Sequence, residues 1–536
     1  MKKKPHIIIF NPDQMRADAL AHLGNPASST PFLDEFARTD AVSFRNAFCQ
    51  NPVCVPSRCS FFTGLYPHVR GHRTMQYLLH EDESNLFTEL RDAGYYVWMN
   101  DRNDLMAGQI PGLFESAADE ICYASGQSDA PGPEKHLRGK PGDKNYYSHF
   151  EGRLGLDAQG RNYSADDIAV DAAIDRILHP ADERPLCLFL GLMYPHPPYA
   201  VEEPYFSMID RKKLPRRAGR GEGKPVLQKR LREYMQMDDY TGEDWDELRA
   251  CYLGMCRKVD DQFRRLCDAL KQAGIYDDSA IFFLSDHGDY TGDYDIPEKA
   301  QNTFEDCLTR VPLLIKPPKT EHTDPGIADA LTELVDFYAT VMDYAGAEPT
   351  QDQFGKSLRP ILEDRTKPGR KYVFCEGGRM PYELQCDEYH AAAGKSQKVP
   401  MESLYYPRQL AQTDAEAHTK GTMIRSEQFK YVHRASGAHE FYDLKKDPLE
   451  EKNCCGKAEY EKEILDMRMA MLDWYQTTCD VVPREYDRRF TKEALWRRVQ
   501  KKCPPGEEER IRALIDSGAG PAMIAAEIER RSKEHI

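Results

Sequence analysis

The amino-acid sequence predicts an α/β protein with a large, mostly parallel sheet that is sandwiched by helices. Unbroken apolar runs, which are typical of strands buried on both faces, occur at 6–10, 95–99, 185–193, 280–285 and 311–318. Amphipathic segments that fit helices lie between them, at 30–40, 84–94 and 249–274. Strands that alternate with helices favour parallel pairing, and ligands of such sheets bind beyond the carboxyl ends of the strands.

Three regions differ in pattern along the 536 residues. Residues 1–365 carry the alternation of apolar strands and helices and are predicted to form the main α/β domain. Residues 366–485 contain short strands and one helix, which indicates a smaller subdomain with an antiparallel sheet, and residues 486–536 read as a helical C-terminal extension. The segments 107–165 and 200–245 interrupt the pattern and are interpreted as insertions around a site, with a solvated loop as the alternative for the second.

The composition and charge of the chain indicate which kinds of binding partner are expected. Lysine and arginine number 72 against 88 aspartate and glutamate, and the net charge of −16 with dispersed basic residues predicts no nucleic-acid and no membrane partner. The apolar run in "MKKKPHIIIF" is shorter than the roughly seven residues of a signal peptide, and no run approaches the ~20 residues of a membrane span. Fifteen cysteines without such a signal indicate reduced thiols and a cytoplasmic location.

The stretch "NPVCVPSRCSFFTG" places Cys54 four positions before Arg58, with a proline and a serine between them. Taken alone, a cysteine is most often an inert core thiol. The gap to Cys59 differs from C-x-x-C redox spacing, and the nearby cysteines lack the spacing of a zinc site. The run "CVPSR" followed by "TG" resembles the C-x-P-S-R signature of the type I sulfatases, members of the alkaline-phosphatase-like superfamily.

This resemblance implies a modified cysteine. In that family a maturation enzyme converts the cysteine to Cα-formylglycine, so a formylglycine-generating maturase is an implied partner of Cys54. The hydrated aldehyde is a gem-diol: one oxygen attacks sulfur, and the other later expels sulfate by restoring the aldehyde. Arg58 is implied to hold the diol and to stabilise local negative charge.

Two polar pairs follow predicted strands, Asp13-Gln14 after the first and Asp286-His287 after a later one. An aspartate after a strand is more often a turn or a helix cap, but both pairs resemble the metal ligands of the sulfatases. Together with Cys54 they are the implied metal site. The oxygen donors suit calcium or magnesium, and the nitrogen of His287 extends the choice to manganese; calcium is the metal expected first.

Further positions resemble polar residues that surround the sulfate in this family. His196 in "MYPHPPY" is implied to bind a sulfate oxygen or to assist proton transfer, and Lys299 is implied to contact the sulfate and assist the leaving group. His72 is a candidate substrate contact, with a surface histidine as the alternative. Where many sulfatases read G-K-W-H-L this chain reads "DRNDL". Arg102 is therefore expected to face the sulfate or an adjacent acidic group of the substrate, and Asp104 the organic part.

The sequence thus predicts a sulfuric ester hydrolase that acts on a small sulfated compound. A sugar sulfate is the expectation by family habit, and choline sulfate and aryl sulfates remain open. The combination of Gln14 and His287 is also similar to the phosphonate monoester hydrolases, so a phosphonate or phosphodiester hydrolase is the alternative. A binding protein with an unconverted Cys54 is a third interpretation, and the extension at 486–536 offers a route to a homo-oligomer.

Overall fold

The computed structural model describes residues 4–108, 110–380, 382–383, 399–482 and 490–534. The strands of this part of the chain are β1 (His6–Pro12), β2 (Val42–Phe48), β3 (Tyr96–Asn100), β4 (Glu120–Cys122), β5 (Phe150–Arg153), β6 (Leu186–Leu192), β7 (Tyr199–Val201), β8 (Ser279–Leu284), β9 (Arg310–Val311), β10 (Leu313–Lys316), β11 (Gly326–Glu333), β12 (Val373–Gly377), β13 (Gly421–Arg425), β14 (Phe429–Arg434) and β15 (Glu440–Asp443). Its helices are α1 (Pro31–Thr39), α2 (Cys54–Thr63), α3 (Pro67–Arg70), α4 (Leu86–Asp92), α5 (Leu113–Ala117), α6 (Ala165–Leu178), α7 (Val226–Met235), α8 (Gly242–Gln272), α9 (Asp306–Thr309), α10 (Val335–Ala345), α11 (Arg359–Glu363), α12 (Tyr406–Thr413), α13 (Glu461–Thr478), α14 (Lys492–Val499), α15 (Glu508–Asp516) and α16 (Pro521–Glu534).

The large sheet contains nine strands in the described chain, in the order β11-β2-β10-β8-β1-β6-β3-β4, with β9 paired to β2. The central strand β1 is parallel to both β6 and β8, in a register that sets Ile9 opposite Phe189 and Phe282. Strand β10 is antiparallel to both of its neighbours, β8 and β2. The chain therefore re-enters the sheet from the carboxyl edge of β8, and the predicted strand at 311–318 runs opposite to the parallel ones. The sheet is mixed but mostly parallel, as the sequence predicts.

Alternate residues of β1 enter two different hydrophobic cores. Ile8 and Phe10 pack on the face that is covered by α1, α6 and α8, while Ile7 and Ile9 pack on the face covered by α2, α4 and α10. The ring of Phe10 lies 5.1 Å from the ring of Phe263 on α8, measured between centroids. Because both faces are buried, the strand can be apolar throughout, which confirms the predicted helix–sheet–helix arrangement.

Helix α8 is longer than its sequence pattern indicated, because its start is set by a local cap. Thr241 accepts a hydrogen bond from the backbone N–H of Asp244, and the Asp244 side chain accepts one from the backbone N–H of Thr241. This capping box satisfies donors that a free helix end would leave unpaired. The helix therefore begins at Gly242, before the apolar periodicity that starts near residue 249.

The chain forms two compact units, Met1–Val481 and Val482–Ile536. In the first unit, β12 to β15 form the predicted small antiparallel sheet, and Trp474 of α13 stacks on Phe374 with ring centroids 4.3 Å apart. The predicted domain boundary at 365 lies within this unit and stays a prediction. In the second unit, α14, α15 and α16 share a separate apolar core. Across the described ranges, no helix has both the length and the apolar character needed to cross a membrane.

Candidate active site

The carboxyl ends of β1 and β8 bring the two predicted polar pairs together. Asp13 and Gln14 follow β1, and Asp286 and His287 follow β8, its parallel neighbour. The backbone N–H of Gln14 donates to Asp286 Oδ1 at 3.0 Å. Gln14 has a φ of 65°, a left-handed conformation that non-glycine residues adopt at a cost and that clusters at functional sites.

Helix α2 carries the predicted nucleophile in its first turn. Cys54 is the first helical residue, after an extended Val53, and Arg58 lies about one turn further on. All ten residues of the helix are buried. Ser57 Oγ donates to the carbonyl oxygen of Asp286 at 2.6 Å, which ties the helix to the loop after β8. The free N–H groups and partial positive charge of a helix N-terminus favour an anion beside Cys54.

Four buried side chains converge at this point. Asp13, Cys54, Asp286 and His287 each offer one ligand atom, and these atoms all lie within 4.8 Å of one another. Asp13 Oδ1 and His287 Nε2 are 3.6 Å apart, and neither atom has a hydrogen-bond partner in the described chain. Buried polar atoms without partners are rare. A divalent cation would satisfy both atoms, and this set of donors fits one.

Two arginines share one oxygen of Asp13. Arg58 Nη2 and Arg102 Nη2 both donate to Asp13 Oδ2, at 2.9 and 2.7 Å. Arg58 Nε also donates to Asp286 Oδ2 at 2.9 Å. Burial alone would raise the pKa of Asp13, but the charges of Arg102 and Arg58 outweigh it and hold that pKa well below its usual range. The carboxylate is therefore charged, with Oδ1 left for another ligand.

The imidazole of His287 is in the form that binds metal ions. Burial lowers the pKa of His287, so the ring is neutral near pH 7. Its Nδ1 lies 2.9 Å from the carbonyl oxygen of Gly288. Because a carbonyl can only accept, Nδ1 carries the hydrogen and Nε2 carries the lone pair.

Lys299 and His196 form a second polar group beside the cluster. Lys299 Nζ donates to Gln14 Oε1 and to His196 Nε2, both at 2.8 Å. His196 Nδ1 donates to the carbonyl oxygen of Pro197 at 2.7 Å, which leaves Nε2 as the acceptor. The structure thus brings Gln14, His196 and Lys299 together, and the amide oxygen of Gln14 keeps a second lone pair for a further ligand.

The three predicted substrate-binding residues, Arg102, Asp104 and His72, differ in whether and how they contact the cluster. Arg102 joins the cluster through Asp13, and Asp104 Oδ2 lies 3.7 Å from Arg58 Nη1 with its side chain 29% exposed. His72 donates from Nδ1 to the carbonyl oxygen of Tyr77 at 2.9 Å, and its Nε2 lies 3.0 Å from Glu83 Oε2. Both ring nitrogens are thus engaged locally, and the role of His72 as a substrate contact stays a prediction.

Several neighbours of the site were missed by sequence reasoning. Met75 Sδ lies 4.0 Å from Cys54 Sγ, Tyr199 Oη donates to Asp289 Oδ1 at 2.8 Å, and Arg408 pairs with Glu298, the residue before Lys299. Only Asp289 had a local signal, because it shares the "DHGD" run with two predicted ligands. The others reach the site from distant parts of the chain, which no local pattern reveals.

The mixed, mostly parallel sheet with a buried polar cluster at its carboxyl edge is the arrangement of the alkaline-phosphatase-like fold. The family model described as Sulfatase matches residues 5–347. The chain therefore belongs to the sulfatase family, whose members hydrolyse sulfuric esters.

Related proteins match nearly the whole chain. The multifunctional alkaline phosphatase superfamily protein PehA of Trinickia caryophylli is 25% identical, over 89% of this chain and 96% of its own length. The N-acetylglucosamine-6-O-sulfatase of Bacteroides thetaiotaomicron is 23% identical, over 86% of this chain and 84% of its own length. The solved structure of the phosphonate monoester hydrolase of Agrobacterium radiobacter is similar with a TM-score of 0.68 at 24% identity, covering 91% of this chain and 99% of that one. That similarity concerns the fold alone.

Proposed function

We propose that the protein hydrolyses the sulfate ester of a carbohydrate, with Cys54 converted to formylglycine as the nucleophile and a divalent metal beside it. The position of Cys54 carries this proposal, because its sulfur shares a 4.8 Å cluster with Asp13, Asp286 and His287. An inert thiol would be expected among apolar side chains rather than among buried metal-type ligands. The relative named N-acetylglucosamine-6-O-sulfatase supports a sugar sulfate as the substrate class.

The proposed metal ligands are Asp13, Gln14, Asp286 and His287, with the converted Cys54 as the fifth. Oxygen donors predominate in this set, which favours calcium, with magnesium and manganese as the alternatives. When bound, the metal supplies positive charge beside the sulfate and polarises its oxygens.

The side chains around the cluster divide the remaining tasks. Formylglycine supplies, as its hydrate, an oxygen nucleophile and a second hydroxyl whose deprotonation releases sulfate. Arg58 and Arg102 hold anionic groups in place, because a guanidinium keeps its charge at any working pH. Lys299 donates a hydrogen bond to His196 Nε2, so this pair holds a proton that it can pass to the leaving alcohol oxygen. Glu298 lies 2.9 Å from Lys299 Nζ and orients it.

A phosphonate monoester or phosphodiester hydrolase is the second candidate. Gln14 is placed beside the cluster that contains His287, and this pair is the feature that is similar to the phosphonate hydrolases. Sulfate and phosphate esters share tetrahedral geometry and in-line displacement, so one site can serve both. The name of the multifunctional relative PehA supports keeping this alternative.

Intact-mass measurement of the purified protein is the first test. Conversion of Cys54 replaces sulfur by the lighter oxygen and lowers the mass, whereas a binding protein with an unconverted cysteine would show no loss. Protein with confirmed formylglycine is then assayed on sulfated mono- and disaccharides, choline sulfate, an aryl sulfate and a phosphonate monoester. Preferred turnover of a sugar sulfate supports the proposal, and preferred turnover of the phosphonate supports the alternative.

A matched pair of cysteine variants separates the nucleophile from its surroundings. Cys54→Ala is expected to lower kcat by roughly 10⁴-fold or more, because ordinary side chains offer no substitute for the hydrate. Cys59→Ala, on the same buried helix, is expected to keep most of the turnover; burial raises the pKa of the Cys59 thiol far above its usual range, so it is inert. Near-normal multiple turnover by Cys54→Ala would contradict the mechanism.

The proposal includes a maturase that recognises the "CVPSR" run, and mass measurement after expression with and without such an enzyme tests it. A cytoplasmic location and a homo-oligomer through residues 486–536 belong to the same proposal. Light scattering of the full chain in solution measures the oligomeric state.

A further inference from the structure

The carboxylate of Glu298 lies between two cations. Its Oε1 is 2.9 Å from the ammonium of Lys299, and its Oε2 accepts a hydrogen bond from Nη1 of Arg408. All three residues are buried. A buried charge is costly unless it is paired, so each charge in this row depends on its neighbour. Lys299 is therefore coupled to Arg408, which lies 110 positions beyond Glu298 in the chain.

The backbone of Glu298 is held by two tyrosines. Its N–H donates to Tyr199 Oη at 2.7 Å, and its carbonyl oxygen accepts from the N–H of Tyr290 at 3.1 Å. Its φ of 64° is a left-handed conformation that is costly for a non-glycine residue, so surrounding contacts must maintain it. Because the main chain is fixed at both polar groups, the remaining freedom of Glu298 lies in its side chain.

Arg408 belongs to a helix that is anchored by contacts away from the catalytic cluster. It lies in α12, whose Ala411 is fully buried in a hydrophobic core that also contains residues of α7. Directly after the helix, Asp414 Oδ2 accepts from Arg230 Nε of α7 at 2.8 Å. The match to the sulfatase family model ends at residue 347. The guanidinium on Glu298 therefore comes from outside the part of the chain that defines the family.

Arg408 determines how strongly Glu298 attracts Lys299. The ammonium of Lys299 donates to Gln14 Oε1 and to His196 Nε2, both at 2.8 Å. With Arg408 on Oε2, the negative charge of Glu298 is shared between two cations. Without Arg408 the whole charge would act on Lys299, whose flexible four-carbon chain would let the ammonium move toward Glu298 and away from His196.

We propose that Arg408 is a positioning residue for the leaving-group step: through Glu298 it keeps the Lys299 ammonium on His196 Nε2. The inference rests on the proposed function, in which the Lys299–His196 pair supplies the proton for the leaving alcohol. When the sulfur–oxygen bond of the ester breaks, the electron pair stays on the alcohol oxygen, which takes this proton. Arg408 acts on the reaction through Glu298, without touching the reacting atoms itself.

A series of aryl sulfates tests this role. Protein with confirmed formylglycine is assayed on 4-nitrophenyl, 4-chlorophenyl and 4-methylphenyl sulfate, which differ in the basicity of the leaving oxygen but little in size. kcat/KM is compared because it reports the breaking of the ester bond, whereas kcat also contains the release of sulfate. In Arg408→Met the loss of kcat/KM is expected to be about tenfold larger for the 4-methylphenyl ester than for the 4-nitrophenyl ester, since a basic leaving oxygen needs the proton most.

Two further variants separate the position of Lys299 from general damage to the fold. Arg408→Lys keeps the charge without the planar fork and is expected to restore part of the original dependence on the leaving group. Arg230→Met removes the ion pair at the end of α12 and leaves the Glu298 pair in place. It is the matched control, in which the three esters keep the relative kcat/KM values of the wild type.

A double-variant cycle tests whether Arg408 acts through Glu298. Glu298→Gln alone is expected to show the same stronger dependence on the leaving group as Arg408→Met. Because both changes remove one coupled pair, adding Arg408→Met to Glu298→Gln should alter that dependence by less than about twofold. The double variant leaves neither member of the Glu298–Arg408 pair as an uncompensated charge, so it carries the comparison with wild type if Arg408→Met alone does not fold.

The outcomes separate this role from the proposed function. Equal losses on all three esters in Arg408→Met overturn the positioning role, as does a large further change when Arg408→Met is added to Glu298→Gln. A folded double variant with the wild-type dependence on the leaving group overturns it as well. If the formylglycine-containing wild type hydrolyses no sulfate ester, the proposed function fails instead, and the same comparison is made on aryl methylphosphonates with the same three phenols.

Discussion

Two aspartates in the same compact unit each pair with two cationic side chains but are satisfied differently. Asp13 receives Arg58 and Arg102 on Oδ2, and its Oδ1 has no hydrogen-bond partner in the described chain. Asp306, beside the small sheet, receives Lys430 on Oδ1 at 2.7 Å and Arg425 on Oδ2 at 3.0 Å. Neighbouring cations hold the pKa of both carboxyls below the usual range. Pairing with two cations therefore does not distinguish the two aspartates, whereas the buried, unsatisfied oxygen of Asp13 does.

The comparison implies two different uses of a carboxylate that is paired with cations. A fully paired aspartate stabilises the fold, and removal of one partner leaves an uncompensated charge. An aspartate with one open oxygen is suited to a ligand that arrives after folding. The same change, aspartate to asparagine, should thus produce a catalytic defect at one position and a stability defect at the other.

Asp13→Asn is expected to have the largest effect on catalysis. Loss of the charge that faces His287 should lower kcat/KM by roughly 10³-fold or more and remove the metal, because a neutral amide is a weak ligand for a hard cation. Asp286→Asn should behave in the same way. Elemental analysis and sulfate-ester turnover of the purified variants measure both effects, with Asp306→Asn as the control that retains metal. Full activity in an enzyme shown to be metal-free would contradict the assignment of Asp13 and Asp286 as ligands of a catalytic metal.

Asp306→Asn is expected to have the largest effect on stability. The substitution leaves the buried Arg425 beside a neutral amide while Lys430 keeps Glu450, which should reduce the free energy of unfolding by about 3 kcal/mol. Urea denaturation of this variant, beside metal-free Asp13→Asn, measures the difference. Arg58 keeps Asp286 when Asp13 is changed, and Lys430 keeps Glu450 when Asp306 is changed. The cations that lose a partner are Arg102, 24% exposed, and Arg425, 8% exposed, so the Asp13 variant should lose less. The reverse ranking of the two variants would show that the open oxygen is not what separates the two sites.

Arg102→Ala tests how much the second arginine on Asp13 contributes to catalysis. We expect roughly a hundredfold loss of kcat/KM on every sulfate ester, because the substrate loses a cation and Asp13 Oδ2 loses one of its two donors. Arg102→Lys restores the charge without the planar fork and should recover only part of the activity. The ratio of the two variants on one substrate separates charge from geometry. Unchanged turnover in Arg102→Ala would place this residue outside the site.

Asp104→Ala is expected to have the smallest effect, and one that depends on the substrate. Its carboxylate is partly exposed and lies 3.7 Å from Arg58, so it can reach the organic part of a substrate. We expect about a tenfold loss of kcat/KM for a sugar sulfate and little change for a small aryl sulfate, whose leaving group needs no such contact. Steady-state kinetics on both substrates make the test. Equal losses would indicate a general role through Arg58 instead.

Much of the site could be predicted because its residues follow strand ends and a compact motif. Asp13, Gln14, Asp286 and His287 each come directly after an apolar run, and parallel strands bring such positions to one edge. The sequence could not reveal which oxygen of Asp13 stays open, because that depends on Arg102, which lies 89 positions away. The pairing of Arg408 with Glu298 spans 110 positions and was missed for the same reason.

In the fold, too, features set by neighbouring residues could be predicted, whereas features set by distant strand pairing could not. Apolar runs and helix periodicity are local, and the strands and helices that they indicate are present. The antiparallel direction of β10 depends on where the chain re-enters the sheet after β8, which is set by pairing with β2. Strands β2 and β11 contain fewer apolar residues and are partly exposed at some positions. Their sequences therefore lack the unbroken apolar run that indicates a fully buried strand.

The pairing of β1 determines when, during synthesis of the chain, Cys54 can become buried. Its two neighbours are β6 and β8, so the sheet that buries Cys54 cannot close until residue 284 has left the ribosome. At about 5–20 residues per second, residues 55–284 require roughly ten to fifty seconds of synthesis. During that interval the "CVPSR" run has no completed core to enter, whereas in the finished protein every residue of α2 is buried. The time in which an enzyme can reach the thiol of Cys54 is therefore set by the rate of translation and by the slow formation of long-range strand pairs.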